Sequence, residues 1–160
     1  MVILLMGVSG SGKTTIGTRL AHELGWVFAD GDDYHPGTNI QKMKNGIPLT
    51  DEDRAPWLLA LHNLIARWLS EGTEAVLACS ALRKAYRCEL QISSEVRLVY
   101  LKASPEMLRA RLHERVEHYM KEGMLASQLA TLEEPDDAVV IEVNGTIEDN
   151  LQQIRQKLGR

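Results

Sequence analysis

Cysteine is scarce in this chain: Cys79 and Cys88 are the only two in 160 residues. That is too few for a disulfide framework, and their placement does not match a zinc site. Each reads as a small apolar residue, Cys79 as the buried end of a strand. No apolar run approaches the ~20 residues that cross a bilayer, and the chain opens directly on strand-like residues, so a cytoplasmic protein is expected. The formal net charge of −4 speaks against an extended nucleic-acid surface. Internal repeats and low-complexity stretches are missing as well. What remains, 44% hydrophobic and 25% charged residues over this length, suits one α/β domain spanning 1–160 with its own core.

Against those absences one stretch stands out. Gly7-Val8-Ser9-Gly10-Ser11-Gly12-Lys13-Thr14 fits G-x-x-x-x-G-K-[ST], the phosphate-binding loop of nucleoside triphosphate enzymes. It follows the apolar strand Val2 to Met6 and precedes a helix expected over Thr15 to Leu24, which is the context the motif requires. The glycines let successive backbone N–H groups, through Thr15, and the positive helix end surround polyphosphate oxygens. Lys13 then reaches the β- and γ-phosphates, and the Thr14 hydroxyl is placed to ligate Mg²⁺. The strand at Ala75 to Cys79 ends without the Asp of motor-type ATPases, and no Asn-Lys-x-Asp is present to read guanine. Mechanical ATPases and switch GTPases are therefore disfavoured.

The rest of the chain alternates strands with helices. A second strand is expected at Trp26 to Ala29, ending in Asp30-Gly31-Asp32-Asp33. Ligands gather at the carboxyl ends of strands in such sheets, so Asp30 and Asp32 are the leading carboxylates for magnesium and for a base; a solvated acidic turn is the alternative. A short helix follows over Thr38 to Asn45. A long helix then starts either at a Thr50/Asp53 capping box or with Pro56 at its first position, and buries Trp57, Leu58, Leu61, Leu64, Ile65, Trp68 and Leu69. Beyond Cys79, a basic helix start with Lys84 and Arg87 suits an anionic substrate or a solvent-facing surface. The fourth strand is Val96 to Leu101, and Ser104-Pro105-Glu106 opens the next helix. Arg111 and Arg115 share one face of it, fitted either to grip adenine and a moving phosphoryl group or to meet solvent. The segment that follows, about 116–126, reads as a lid. The fifth strand spans Asp137 to Val143. A last helix, capped by Thr146 and Asp149, buries Ile147, Leu151, Ile154 and Leu158. Five such strands imply a parallel sheet covered by helices on both faces.

Taken whole, the sequence resembles the small P-loop kinases of the nucleoside-monophosphate-kinase and shikimate-kinase type, and specifically the gluconate kinases (gluconokinases). The match rests on Met6 to Thr14, on Asp30-Gly31-Asp32-Asp33-x-His35-Pro36, and on Asn39-Ile40-x-Lys42-Met43. It continues through Gly46-Ile47-Pro48-Leu49-x-Asp51-x-Asp53-Arg54-x-Pro56-Trp57-Leu58, Cys79-Ser80-Ala81-Leu82-x-Lys84-x-Tyr86-Arg87 and Ser127-Gln128-x-x-x-Leu132-Glu133-x-Pro135. The resemblance implies ATP- and Mg²⁺-dependent phosphorylation of D-gluconate at its 6-hydroxyl by a homodimer. It also implies roles: Asp32 orients or deprotonates the acceptor hydroxyl, Asp30 holds Mg²⁺ through water, and Arg54, His35, Lys84 and Arg87 bind the polyol acid. Lys13 and Arg115 stabilise the phosphoryl oxygens. Where the family usually carries Arg-x-Gly-His-Phe-Met at the lid, this chain has Arg115-Val116-Glu117-His118-Tyr119-Met120. Other kinases of the same fold, acting on shikimate, a nucleoside monophosphate, adenylylsulfate or another sugar acid, and a non-catalytic nucleotide-binding module are the competing assignments.

Overall fold

In the computed structural model of the chain, residues 1–114 and 122–160 are described. Val2–Met6 forms the first strand, β1, and all five of its residues are buried. Such burial on both faces is why the run is continuously apolar rather than alternating. Its neighbours are β3 (Ala75–Ala78) and β4 (Val96–Lys102), flanked in turn by β2 (Val27–Asp30) and β5 (Val139–Glu142). The order is β2-β3-β1-β4-β5, and every pairing is parallel. β1 pairs Leu5 with Ala78 on one side and Val99 on the other. The carboxyl ends of β1, β2 and β3 thus open on the same edge, where the strand order reverses, which is where such sheets bind ligands.

The two faces of β1 sort the helices. Val2, Leu4 and Met6 pack with Trp57, Leu61, Ile65 and Trp68 of α3 (Asp51–Glu71) and with Leu90 of α4 (Lys84–Leu90). Ile3 and Leu5 pack instead with Ile16 and Leu20 of α1 (Lys13–Leu24) and with Leu151 and Ile154 of α7 (Ile147–Leu158). Each such buried aliphatic side chain is worth about 1.5–3 kcal/mol against exposure. A third cluster joins Val8 and Leu82 to Leu108 of α5 (Pro105–Glu114) and Leu125 of α6 (Glu122–Thr131), seating these two helices beside the glycine-rich loop.

Several expected boundaries move for identifiable reasons. The second strand starts at Val27 rather than Trp26, because the Trp26 amide closes the end of α1 by donating to Ala21 O, with Gly25 in the left-handed conformation. The capping box wins the start of α3: Thr50 Oγ1 accepts from Asp53 N (3.1 Å), and Asp53 Oδ2 accepts from Thr50 N (2.9 Å). Pro56 falls inside the helix. The short helix α2 spans Gly37–Lys44 and is tied to that cap, since the Lys42 ammonium meets both Asp53 carboxylate oxygens at 2.9 Å. Ile147 is 41% exposed and stands outside the buried stripe of α7, which Leu151 and Ile154 form. Helix α6 was not anticipated; it carries residues 122–126 of the expected lid, whereas residues 115–121 lie outside the described residues.

Candidate active site

The loop from Gly7 to Gly12 leaves β1 and turns into α1. Gly10 and Gly12 adopt φ of 86° and 96°, a region open to glycine and strained for other residues. A Cβ at Gly7 would meet Ser11 Oγ at 2.6 Å, so the turn closes only with hydrogen there. The Lys13 ammonium donates to Gly7 O (2.8 Å) and Val8 O (3.1 Å) across the loop. Burial lowers its pKa, opposed first by the negative charge of Asp32 and also by that of Asp30. Cys79 itself, at the end of β3, has its thiol pushed up to about 12 by burial, so it stays protonated and is not a nucleophile.

The end of β2 meets this loop. Thr14 donates its hydroxyl to Asp30 Oδ2 at 2.7 Å, while Asp30 Oδ1 accepts the Asp32 amide at 3.0 Å. Asp30 thereby caps a 3₁₀ turn over Gly31–Tyr34 and points the chain so that Asp32 lines the same cavity as Lys13. Thr14 and Asp30 are hard oxygen donors beside a phosphate loop, a set that suits Mg²⁺, which takes one or two protein oxygens and completes its shell with phosphates and water. Among the described residues no cluster of three or more His, Cys, Asp or Glu forms a separate metal cage.

Across the cavity from the loop stand His35, Arg54 and Trp57. The Trp57 indole donates to Gly31 O at 2.7 Å, which anchors the ring beneath the acidic turn. His35 stacks on it, ring centroids 4.3 Å apart and 11° between planes. Periodicity assigned Trp57 to the core; it is buried there and also walls the cavity. Arg54 donates to Leu49 O (2.8 Å) and to the Tyr86 hydroxyl (3.2 Å), and its guanidinium sits 5.5 Å from the Tyr86 ring centroid. The Tyr86 hydroxyl in turn donates a hydrogen bond to Asp51, which also pairs with Arg83. A cation, a neutral imidazole and a carboxylate thus face one space.

Two expected substrate contacts are not brought there. Lys84 and Arg87 line a separate groove with Cys88, Gln91 and acidic residues including Glu133 and Glu134. The physical cause is that α4 starts late: residues 80–83 form a loop, with Ala81 at φ 45°, so the helix start does not face the cavity. Arg87 is 3% exposed and donates to Ala81 O (2.9 Å) and Leu82 O (3.1 Å), bracing that loop. Arg111 does reach the phosphate loop, donating to Gly10 O at 2.7 Å. Arg115 lies outside the described residues.

The cavity also has a wall that residue-by-residue reasoning missed. Met124, Ser127, Gln128 and Thr131 of α6 line it, and Gln128 Oε1 accepts the Ser9 amide of the loop at 2.8 Å. Apolar periodicity is weak in this helix; only the Ser127-Gln128 motif of the resemblance pointed to it. Ser80 and Leu82, delivered by the loop that Arg87 braces, complete the same side.

Comparison with known proteins agrees with this architecture. A family model described as an AAA domain matches residues 2–135. The gluconokinase of Gluconobacter oxydans is 48% identical over 145 residues, covering 89% of this chain and 82% of that one. The chain belongs to the gluconokinase family. A gluconokinase structure from Sinorhizobium meliloti superposes with a TM-score of 0.88 at 38% identity, covering 99% of this chain and 91% of the other. An unliganded sugar kinase from Janibacter gives a TM-score of 0.91 at 39% identity, over 99% and 94% of the two chains. Both superpositions cover 99% of this chain, so the likeness takes in the loop, the acidic turn, α3 and α6 together.

Proposed function

We propose that this chain transfers the γ-phosphoryl group of ATP to the 6-hydroxyl of D-gluconate, giving 6-phosphogluconate and ADP. The observation that carries this is the cavity in which Lys13 of the phosphate loop and Asp32 of the acidic turn face Arg54 and His35. Membership of the gluconokinase family supports gluconate as the acceptor.

The residues divide the work. The loop amides from Gly7 to Thr15 hold the polyphosphate, and Lys13 exchanges its two carbonyl partners for phosphate oxygens when ATP enters. Asp32 accepts the hydrogen of the 6-hydroxyl as its oxygen bonds to Pγ and the bond from Pγ to the β,γ-bridging oxygen breaks. Arg54 binds the acid or hydroxyl groups of gluconate, and His35 donates to the polyol. Thr14 directly and Asp30 through water would hold Mg²⁺, which would supply charge neutralisation for the polyphosphate. Arg111 braces the loop, and Arg115, at the head of a lid over about 116–126, stabilises the transferring group. The family resemblance supports a single-domain, cytoplasmic homodimer. Light scattering tests the dimer as a mass twice that of the chain; among the described residues no helix is long and apolar enough to cross a membrane.

An ADP-release screen over gluconate, other sugar acids, shikimate, nucleoside monophosphates and adenylylsulfate tests the reaction. Gluconate is expected to give the highest kcat/KM, with slow ADP formation when no acceptor is present. A better rate with shikimate or a nucleotide, or ATP binding with no transfer to anything, would overturn it.

A further inference from the structure

His35 is held by two contacts of different kinds, and together with the partner of one of them they determine which of its nitrogens carries the proton. Stacking on Trp57 fixes the plane of the ring. Asn39, 2% exposed on α2, fixes the edge: its Nδ2 lies 3.2 Å from His35 Nδ1 and donates to Asp53 O at 2.8 Å. A backbone carbonyl only accepts, so the Asn39 amide must present its NH₂ group to Asp53 O. The second hydrogen of that NH₂ then points at His35 Nδ1, which must accept it with a lone pair. The ring's proton is left on Nε2, the opposite pole of a side chain that lines the cavity.

We propose that Asn39 is a positioning residue that locks His35 as the neutral Nε2–H tautomer, making it a hydrogen-bond donor to an acceptor oxygen of the substrate rather than an acid, a base or a cation. The charges around the ring agree with a neutral donor. Arg54 from α3 and Lys13 from the loop share its cavity; Asp32 lies on its own turn, and the Asp53 carboxylate is already engaged by Lys42. Burial and then Arg54 bring its pKa down to about 4. A donor of fixed polarity matches a hydroxyl or carboxylate oxygen and discriminates against a group that can only donate.

The inference rests on gluconate, or another polyol acid, being the acceptor, but its first test needs no acceptor. Long-range ¹H–¹⁵N spectra of the full chain, with the His35 signals assigned by their loss in His35→Gln, report the tautomer directly. The expected result is an unprotonated Nδ1 and a protonated Nε2 that persist from pH 8 down to about pH 5, given a pKa of about 4. An Nδ1–H tautomer, or a titration near the ordinary 6.5, overturns the lock. Asn39→Asp places a carboxylate against Nδ1 and is expected to move the titration up by at least about one unit. Its acceptor KM should rise about tenfold while the neutral ring carries its proton on Nδ1, and fall back as pH drops through the raised pKa and Nε2–H returns, with the ATP KM unchanged. A neutral ring that moves its proton to Nδ1 while the acceptor KM stays flat overturns the donor role. Should the acceptor screen select a substrate other than gluconate, the KM arm is run with that substrate, and the spectra stand as they are.

Discussion

Thr14 and Asp30, sixteen residues apart, are joined by a 2.7 Å hydrogen bond that ties the first turn of α1 to the end of β2. Thr14 is exposed and Asp30 half-buried at the mouth of the phosphate loop, and the proposed Mg²⁺ would take Thr14 as its inner and Asp30 as its outer partner. Asp30→Asn keeps the shape and the hydrogen bond from Thr14 but removes the charge. The Mg²⁺ concentration for half-maximal rate should rise by roughly 10–100-fold, the usual penalty for an outer-shell partner. Rate against free Mg²⁺ at fixed ATP measures it. An unchanged midpoint would leave Asp30 with the turn-capping role alone.

In the proposed reaction Asp32 carries the heavier chemical demand. An alkanol loses its proton late in a loose transition state, so an aligned carboxylate contributes about 10²–10⁴-fold. Asp32→Asn should lower kcat by that factor with the ATP KM nearly intact, and Lys13→Ala should cost more still. Steady-state kinetics on the folded variant separates the two parameters, and near-normal turnover would remove Asp32 from the role.

Arg54 is held from behind by Leu49 O and by the Tyr86 hydroxyl, so its fork is pre-aimed at the cavity. Arg54→Ala should raise the gluconate KM about 10–100-fold, as loss of a charge-assisted hydrogen bond does, and leave the ATP KM within about twofold. Tyr86→Phe, which only loosens the fork, should give a smaller rise of the same kind. Equal rises for both substrates would place Arg54 in a general structural role.

The cap of α3 gives a pH prediction. Hydrogen bonds from Lys42 first, and from Thr50, bring the Asp53 pKa from 3.8 down to about 2. A carboxylate depressed on folding stabilises the native state above its unfolded pKa, and that contribution fades as pH falls through the folded value. Thermal melts should therefore show Asp53→Asn less stable than the parent at pH 7, with the gap closing between about pH 4 and pH 2. A gap independent of pH would assign the loss to helix geometry rather than charge.

How far the sequence foretold this molecule depended on whether a signal was local. The phosphate loop, β1, the capping box at Thr146 and the stripe of α3 were legible because short-range chemistry or strict periodicity specifies them, whereas at the start of α3 the Thr50 box competed with Pro56. The placement of Asp30 and Asp32 beside the loop was legible from the rule that ligands sit at strand ends. The wall made by α6 was not, because Gln128 acts 119 residues from its partner Ser9 and its helix has no strong apolar stripe. Asn39 was quoted only as part of a motif, since nothing in the sequence says that a buried amide will face a histidine ring.

Arg87 shows the same limit from the other side. Next to Lys84 and beyond a strand end, its charge read as a ligand for an anion, yet the guanidinium turns inward to two carbonyls of the Ala81 loop. The two assignments predict different losses. A substrate contact removed by Arg87→Met would raise the gluconate KM and leave the melting temperature alone. A loop brace removed by the same change strands two carbonyls, at about 1–3 kcal/mol for a buried group left unpaired, and lets Ala81 relax from its left-handed conformation. The expected outcome is a melting temperature lowered by several degrees. The ATP and gluconate KM values should shift together and modestly, because Ser80 and Leu82 lose their placement in the shared cavity. Differential scanning fluorimetry beside steady-state kinetics decides between them, and a tenfold gluconate-specific KM effect without thermal loss would return Arg87 to the substrate.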